Sequence, residues 1–364
     1  MDKEKTSRRV LPHLQEVNVN GFEPSNDHDD NITKCVKSQY YIHNVEKELA
    51  EKFAIKKERS LTLAQAYFRL GYDRKAFQVS ECGSFLQFAH AILPSGSVSS
   101  DGKLWRANFC RDKLCPMCAW RRSYKIFGQV SRIMDVIASQ YRFLMLTLTI
   151  PNCSEDELSR TIDDMMDGWR RLIHDTKKFK DSVAGYFRAL EITYNESNGT
   201  YHPHFHCILA VPLSYTRKSD LYISQGEWLS MWRKAMKRDD ILIVDVRMAH
   251  SKEVTSGASE SVQCISSAIA EIAKYAVKLG DDFDDDVIRC LSGALHHRRL
   301  VHFGGIFKKV ASDLNLDDAE DGDLVHVDGD INGALAYMIV RYQWSCGAYK
   351  MIDAVKYTPQ KGGV

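Results

Sequence analysis

The sequence lacks a dominant charge. Lys and Arg number 49, Asp and Glu 48, and the formal net charge is +1. A uniformly basic protein that coats nucleic acid is therefore excluded, and any basic surface must be local. The chain also lacks an apolar run of about 18 residues, so no membrane span is expected, and no signal-peptide pattern is read at its start. A disulfide framework is missing too. Of the ten cysteines, Cys35, Cys153, Cys207, Cys264, Cys290 and Cys346 read as scattered free thiols, which suits the cytoplasm. At 364 residues there is room for two domains.

What is present centres on Tyr201-His202-Pro203-His204-Phe205-His206-Cys207-Ile208-Leu209-Ala210. In a strand, alternate residues share a face. His202, His204 and His206 would then project together, while Phe205, Cys207 and Leu209 face the core. Imidazoles at period two form a natural platform for a divalent metal. A polar strand face with chance histidines is the competing reading.

Upstream, Tyr186-Phe187-Arg188-Ala189-Leu190-Glu191-Ile192-Thr193-Tyr194 also reads as a strand. Asn198-Gly199 between the two is a hairpin signal. A two-residue turn there would pair Ser197 with Thr200 and set Glu191 opposite His206. A two-residue slip would set Glu191 opposite His204 instead. Either way a carboxylate joins two imidazoles, a mixed N/O set suited to Mn²⁺ or Mg²⁺ with positions left open for a substrate.

From Val262 onward, Ile265, Ile269, Ile272, Ala276 and Leu279 recur at helical spacing and predict a buried stripe. Glu271, Lys274, Tyr275 and Lys278 would share another face. A phenol then lies one turn from a carboxylate, flanked by two ammonium groups. By itself this is equally an exposed tyrosine among solvated charges.

Cys110, Cys115 and Cys118 stand at x4 and x2 spacing. In a reducing compartment that spacing points to structural zinc. Cys82 is the best candidate for the fourth ligand, with His90 as the alternative. From Lys103 to Arg142 nine Lys or Arg face two Asp, and Arg121 and Arg122 follow the last cysteine. This local charge suits a DNA backbone.

Taken together, the segments resemble the HUH endonucleases, and within them the rolling-circle replication initiators of small bacterial plasmids. Leu146-Thr147-Leu148-Thr149 with Asn152 is similar to the first motif of that family. His204-Phe205-His206 is similar to the second, and Lys274-Tyr275 with Lys278 to the third. Glu271 sits where one plasmid subgroup carries a carboxylate. The resemblance covers roughly residues 80 to 310, and the cysteine spacing with its following arginines belongs to it.

It implies that Tyr275 attacks one strand of a plasmid origin, keeps a 5′-phosphotyrosyl bond and frees a 3′-OH primer. His204 and His206, with Glu191, would hold the divalent ion, and His202 ranks below them. Lys274 and Lys278 would favour the phenolate and contact DNA. Glu271 would act as a general base for water, ending a single round by hydrolysis. A host helicase and polymerase are the expected partners besides origin DNA.

The expected architecture is α+β. An antiparallel sheet flanked by helices, of the ferredoxin/RRM-like kind the resemblance implies, follows an N-terminal zinc-binding module. Residues 1–40 read as a flexible tail, 41–137 as a helical and zinc-binding DNA-binding region, and 138–311 as the endonuclease domain. Residues 312–364 read as an acidic segment with a terminal hairpin. Helices are expected over 41–75, 155–177 (Ser154 as N-cap, Glu157 completing a capping box) and 224–236, with a strand over 241–246. His296-His297-Arg298-Arg299 reads as a basic or solvated segment. The acidic residues beyond Ala311, with no Lys or Arg before Arg341, read as a solvated linker or a mimic of DNA charge. Other classes compete: a conjugative relaxase, in which the tyrosine usually precedes the histidines; a transposase, typically shorter; and a non-catalytic zinc protein that binds DNA.

Overall fold

The computed structural model describes residues 49–249, 284–327 and 334–359, with Lys47 and the short strand Val277–Lys278 besides. The expected tail, 1–40, lies outside the described residues. A π-type turn at Leu49–Ala54 runs into α1 (Ile55–Arg69), and α2 (Asp73–Glu81) follows. The two helices are separated at Gly71, whose φ of 74° ends the first. Then come β1 (Phe85–Ile92), β2 (Val98–Ala107) and α3 (Pro116–Ile137). Pro116 occupies the first turn of α3, where its missing N–H costs nothing.

The chain continues with β3 (Tyr141–Thr149), α4 (Glu155–Asp175), α5 (Lys177–Ser182), β4 (Gly185–Asn195) and β5 (Thr200–Pro212). After these come α6 (Gln225–Met236), β6 (Val244–Met248), β7 (Val277–Lys278), α7 (Asp285–Ala294), β8 (Val301–Gly305) and α8 (Ile306–Asp313). The terminal hairpin is β9 (Tyr337–Ser345) with β10 (Ala348–Tyr357). Ser154 and Ser224 both close capping boxes, with Glu157 and Glu227. The architecture is α+β with two largely antiparallel sheets flanked by helices. Among the described residues no helix is long and apolar enough to cross a membrane.

The first sheet runs β10-β9-β1-β2. Segments far apart in the sequence thus meet: Phe88 pairs with Val340, about 250 positions on in the chain. Phe53 packs edge-on against Phe88 and against Trp120 of α3, which seats this sheet on the helices. The second sheet runs β6-β3-β5-β4-β7, and β8 pairs with the other half of the β4 edge. One face is core. Trp169 of α4 packs on Tyr186 and Phe205, and Phe205 also meets Trp232 of α6. Phe205, Cys207 and Leu209 are all fully buried there, as the alternation required.

Four expectations change. The β4–β5 turn is not two residues long. Asn195 pairs with Thr200 and Glu191 with His204, the slipped register. The Asn195 side chain accepts from Ser197 N (3.0 Å) and Oγ, and its carbonyl accepts from Gly199 N at 2.9 Å, so the side chain organises a four-residue loop. Gly199 supplies the positive φ of 67°. The strand expected over 241–246 starts later, at Val244. The Ile241 and Ile243 carbonyls are taken by the side chains of Arg233 and Thr149. Val277–Lys278 pairs in parallel with Ile192–Thr193, so the expected helix does not run through Lys278.

The fourth change concerns the acidic stretch, which is not a solvated linker. Ala319, Glu320 and Leu324 are buried. Lys125 of α3 pairs with Asp317 at 2.6 Å, and Gln129 donates to the Asp317 carbonyl at 2.9 Å. Glu320 pairs with Lys113 at 3.3 Å and accepts from Leu300 N at 2.8 Å. Around it, Arg298 is paired with Asp163 and Arg299 with Asp318.

Removing a buried carboxylate strands its partners. Glu320→Ala should lower unfolding free energy by about 3 kcal/mol, measured by chemical denaturation, whereas a surface change such as Asp321→Ala should stay within about 0.5 kcal/mol.

Candidate metal centres

The face of the second sheet opposite α4 carries the histidines. Glu191 on β4, His204 on β5 and Thr149 on β3 lie in one row; Ala189, His206 and Thr147 lie in the next. One carboxylate oxygen of Glu191 is 3.1 Å from His206 Nε2 and 3.8 Å from His204 Nε2. The two Nε2 atoms are 3.1 Å apart. Glu191 is 4% exposed and His204 8%.

Proton placement tests whether this set fits a cation. His204 Nδ1 lies 3.0 Å from the carbonyl of His202. A carbonyl only accepts, so Nδ1 carries the proton and Nε2 presents its lone pair. Burial depresses the His204 pKa to about 4, which keeps the ring neutral near pH 7. His206 Nδ1 is 3.3 Å from Thr147 Oγ1, a hydroxyl able to accept its proton and leave Nε2 as the lone-pair nitrogen there too. Two nitrogens and a carboxylate oxygen converge, and a divalent ion between them is what the donor set fits. His202 stacks on His204 with ring centroids 5.0 Å apart and is not among the converging atoms.

The second group is Cys82, Cys110, Cys115 and Cys118. Cys82 follows α2, Cys110 lies between β2 and α3, and the other two open α3, whose N-terminal amides favour thiolates. Sulfur separations are 3.5 Å (Cys82–Cys118), 3.6 Å (Cys82–Cys115) and 3.7 Å (Cys110–Cys118). These are far too long for disulfides. A tetrahedral ion with metal–sulfur bonds of ~2.3 Å needs sulfurs about 3.8 Å apart. Arg111 N and Cys110 N donate to two of the sulfurs, and Ser60 Oγ lies 3.4 Å from Cys115 Sγ. Of the two candidates for the fourth ligand, Cys82 is the one brought in. His90 is buried on β1 against Gly102, where any added Cβ would strike its ring.

Arg121 and Arg122 do not stand where the local charge suggested. They are 3% and 6% exposed. Arg121 donates to the carbonyls of Leu324 (3.0 Å) and Val325 (2.8 Å), and Arg122 to that of Glu320 (3.4 Å). Neither guanidinium is open to a phosphate. Glu271, Lys274 and Tyr275 lie outside the described residues, and of Lys278 only the backbone pairing is described.

Residues 101–350 match a protein-family model described as "Replication protein". The chain belongs to this family. It is 40% identical over 310 residues to "Protein rep" of Bacillus amyloliquefaciens, covering 78% of this chain and 89% of that protein. It is 41% identical over 276 residues to a "Protein rep" of Bacillus sp, covering 70% and 86%. A Staphylococcus aureus "Replication protein" is 37% identical over 216 residues, 57% of this chain and 87% of that one. No solved structure matches.

Thr147 stands in the segment that resembles the first family motif, with no role of its own read for it there. The signal was available: Thr147 pairs with His206, so its hydroxyl shares the ligand face. Thr147→Val should weaken divalent-cation binding about tenfold to a hundredfold without a change in melting temperature. Titration calorimetry with Mn²⁺ reads this; unchanged affinity would mean that Thr147 does not orient the ring.

Proposed function

We propose that this replication protein initiates plasmid rolling-circle replication by nicking one strand of the origin, on an HUH-type sheet. The observation that carries the reading is the convergence of the Glu191 carboxylate with the Nε2 lone pairs of His204 and His206. These three residues would hold Mn²⁺ or Mg²⁺, which when bound supplies Lewis-acid polarisation of a phosphoryl oxygen and a template for the scissile group. The four cysteines would hold zinc as a structural ion.

Tyr275 is the nucleophile in this reading. Its phenolic oxygen forms a bond to phosphorus, the P–O3′ bond breaks, and the leaving 3′ oxygen takes up a proton to become the primer hydroxyl. A phenol is ionised only about one part in a thousand at pH 7, a deficit of ~4 kcal/mol. Lys274 and Lys278 offset part of it by favouring the phenolate. Connectivity supports the assignment. Val277 pairs with Ile192, the residue after Glu191. Tyr275 stands two positions before Val277 in the chain, a separation that extended backbone spans in at most about 7 Å. Glu271 would serve as general base for the water that releases the strand.

The partners are then origin DNA and, by family, a host helicase and polymerase, in the cytoplasm. We assign residues 138–311 to the nicking domain. The cysteine region 41–137 and the acidic and hairpin segment 312–364 would support it, with residues 1–40 as a tail. A zinc protein without catalysis is separated by the nicking assay; a relaxase or transposase of the same superfamily, which would also nick, is set apart by the tyrosine following the histidines and by the chain's length and cysteine cluster.

His204→Ala or His206→Ala should abolish metal-dependent nicking of single-stranded origin DNA while the fold is kept, as judged by circular dichroism. Full cleavage by both variants would remove the proposed metal centre. Tyr275→Phe should give no covalent protein–DNA species on denaturing gels. Glu271→Ala should still form the adduct, which then accumulates; release at the wild-type rate would show that Glu271 plays no part in termination.

A further inference from the structure

One lysine of α1 is buried without an anion of its own. Lys57 is 1% exposed. Among the described residues it forms no ion pair with a carboxylate. Its Nζ donates to the carbonyl of Ser80 and, at 2.9 Å, to that of Cys82. Those oxygens satisfy its hydrogens, but they carry no net charge. A buried ammonium is costly unless a negative charge lies near it.

The rest of the same helix face turns to the cysteine cluster. Ser60, three positions on and fully buried, places its Oγ 3.4 Å from Cys115 Sγ. Tyr67 donates to the carboxylate of Asp112 at 3.1 Å, within the loop between Cys110 and Cys115. Helix α1 thus meets the cluster at three points, with Lys57 at Cys82, Ser60 at Cys115 and Tyr67 at the loop. Burial pulls the Lys57 ammonium below the usual lysine range, while Cys82, Glu81, Cys115 and Cys110 act in the opposite direction. Three of those four groups are cluster sulfurs, and the fourth, Glu81, is exposed to water.

We propose that Lys57 is the counter-charge of the cysteine cluster, a positioning residue that lets all four sulfurs hold zinc as thiolates. This rests on the zinc reading above and deepens it. Four thiolates and one divalent ion sum to a charge of about −2. One ammonium at the Cys82 carbonyl offsets half of it. The N-terminal amides of α3, which begins after Cys115, offset a further part. Each buried charge then supplies what the other lacks. Lys57 also lies at the end of α2, where a lysine can cap the last carbonyls. A cap needs donors and no charge, so the two roles are separable by substitution.

The test uses the full chain, stripped of metal and reloaded with Zn²⁺ or with Co²⁺, a tetrahedral stand-in whose absorption reports its ligands. Lys57→Gln keeps a donor for the carbonyls and removes the charge; Lys57→Met removes both. Each should weaken Zn²⁺ binding about tenfold to a hundredfold, read by competition with a chelator. Glu81→Gln, at the exposed neighbour, should bind Zn²⁺ like the wild type. The Co²⁺ form gives a signature that capping does not. A cation beside the sulfurs lowers their filled orbitals. Its loss should move the sulfur-to-cobalt charge-transfer band to longer wavelength in both variants. Wild-type affinity, or an unshifted band, in Lys57→Gln would overturn the counter-charge and leave the zinc reading standing. Variants that fail to regain wild-type circular dichroism at saturating Zn²⁺ would place Lys57 in the packing of α1 and overturn it as well. A wild-type chain with no affinity for Zn²⁺ would overturn the zinc reading and the counter-charge with it.

Discussion

The pairing of β4 with β5 is the constraint on which the rest depends. It places Glu191 opposite His204, on the face of the sheet away from the aromatic core, where His206 joins them. The other face of the same two strands is filled by Phe205, Cys207 and Leu209 under the aromatic side chains of α4 and α6. Because side chains alternate, a one-residue slip would bury the ligands and expose the core, so packing energy protects the site. A two-residue slip would not be opposed in this way. That choice falls to the Asn195 side chain, which closes a four-residue loop and fixes the absolute register.

Local periodicity is why the ligands were legible. Three histidines at period two, and cysteines at x4 and x2, declare themselves within a few residues. The capping boxes of α4 and α6 are equally local. What could not be read was set at a distance. Arg121 and Arg122 look like exposed DNA-facing cations because most of what receives them is remote. Besides the Arg111 carbonyl, which takes Arg122 at 3.3 Å, their acceptors include carbonyls about 200 positions on, in a stretch that itself looked like a solvated linker. Each segment misleads alone, and together they satisfy each other. Likewise the apolar stripe around Ile272 fits a helix, and nothing in it announces that Val277 pairs with Ile192.

This mutual satisfaction also revises what the basic helix α3 is for. Three of its cations, Arg121, Arg122 and Lys125, join the cysteine cluster at its start to the acidic segment beside it. Lys125 holds Asp317, and Lys113, in the loop before the helix, holds Glu320, whose second oxygen caps the approach to β8 at Leu300. The cluster thus braces the element that contacts α8 under the second sheet. A structural ion at the cysteines would act on the sheet through this brace, not by presenting charge to a ligand.

The consequence is a limit on exposed charge. Arg121, Arg122 and Lys125 are engaged inside, and Arg298 and Arg299 lie in ion pairs, so these five do not make up an open basic face. Among the described residues, the histidine face of the second sheet carries Glu191, His204 and His206, with Thr147 and Thr149 in the same two rows. A surface of that composition gains little from a duplex, whose bases are hidden and whose recognition is dominated by phosphates. Under the nicking proposed above, such a face would offer a place for one phosphate at the ion.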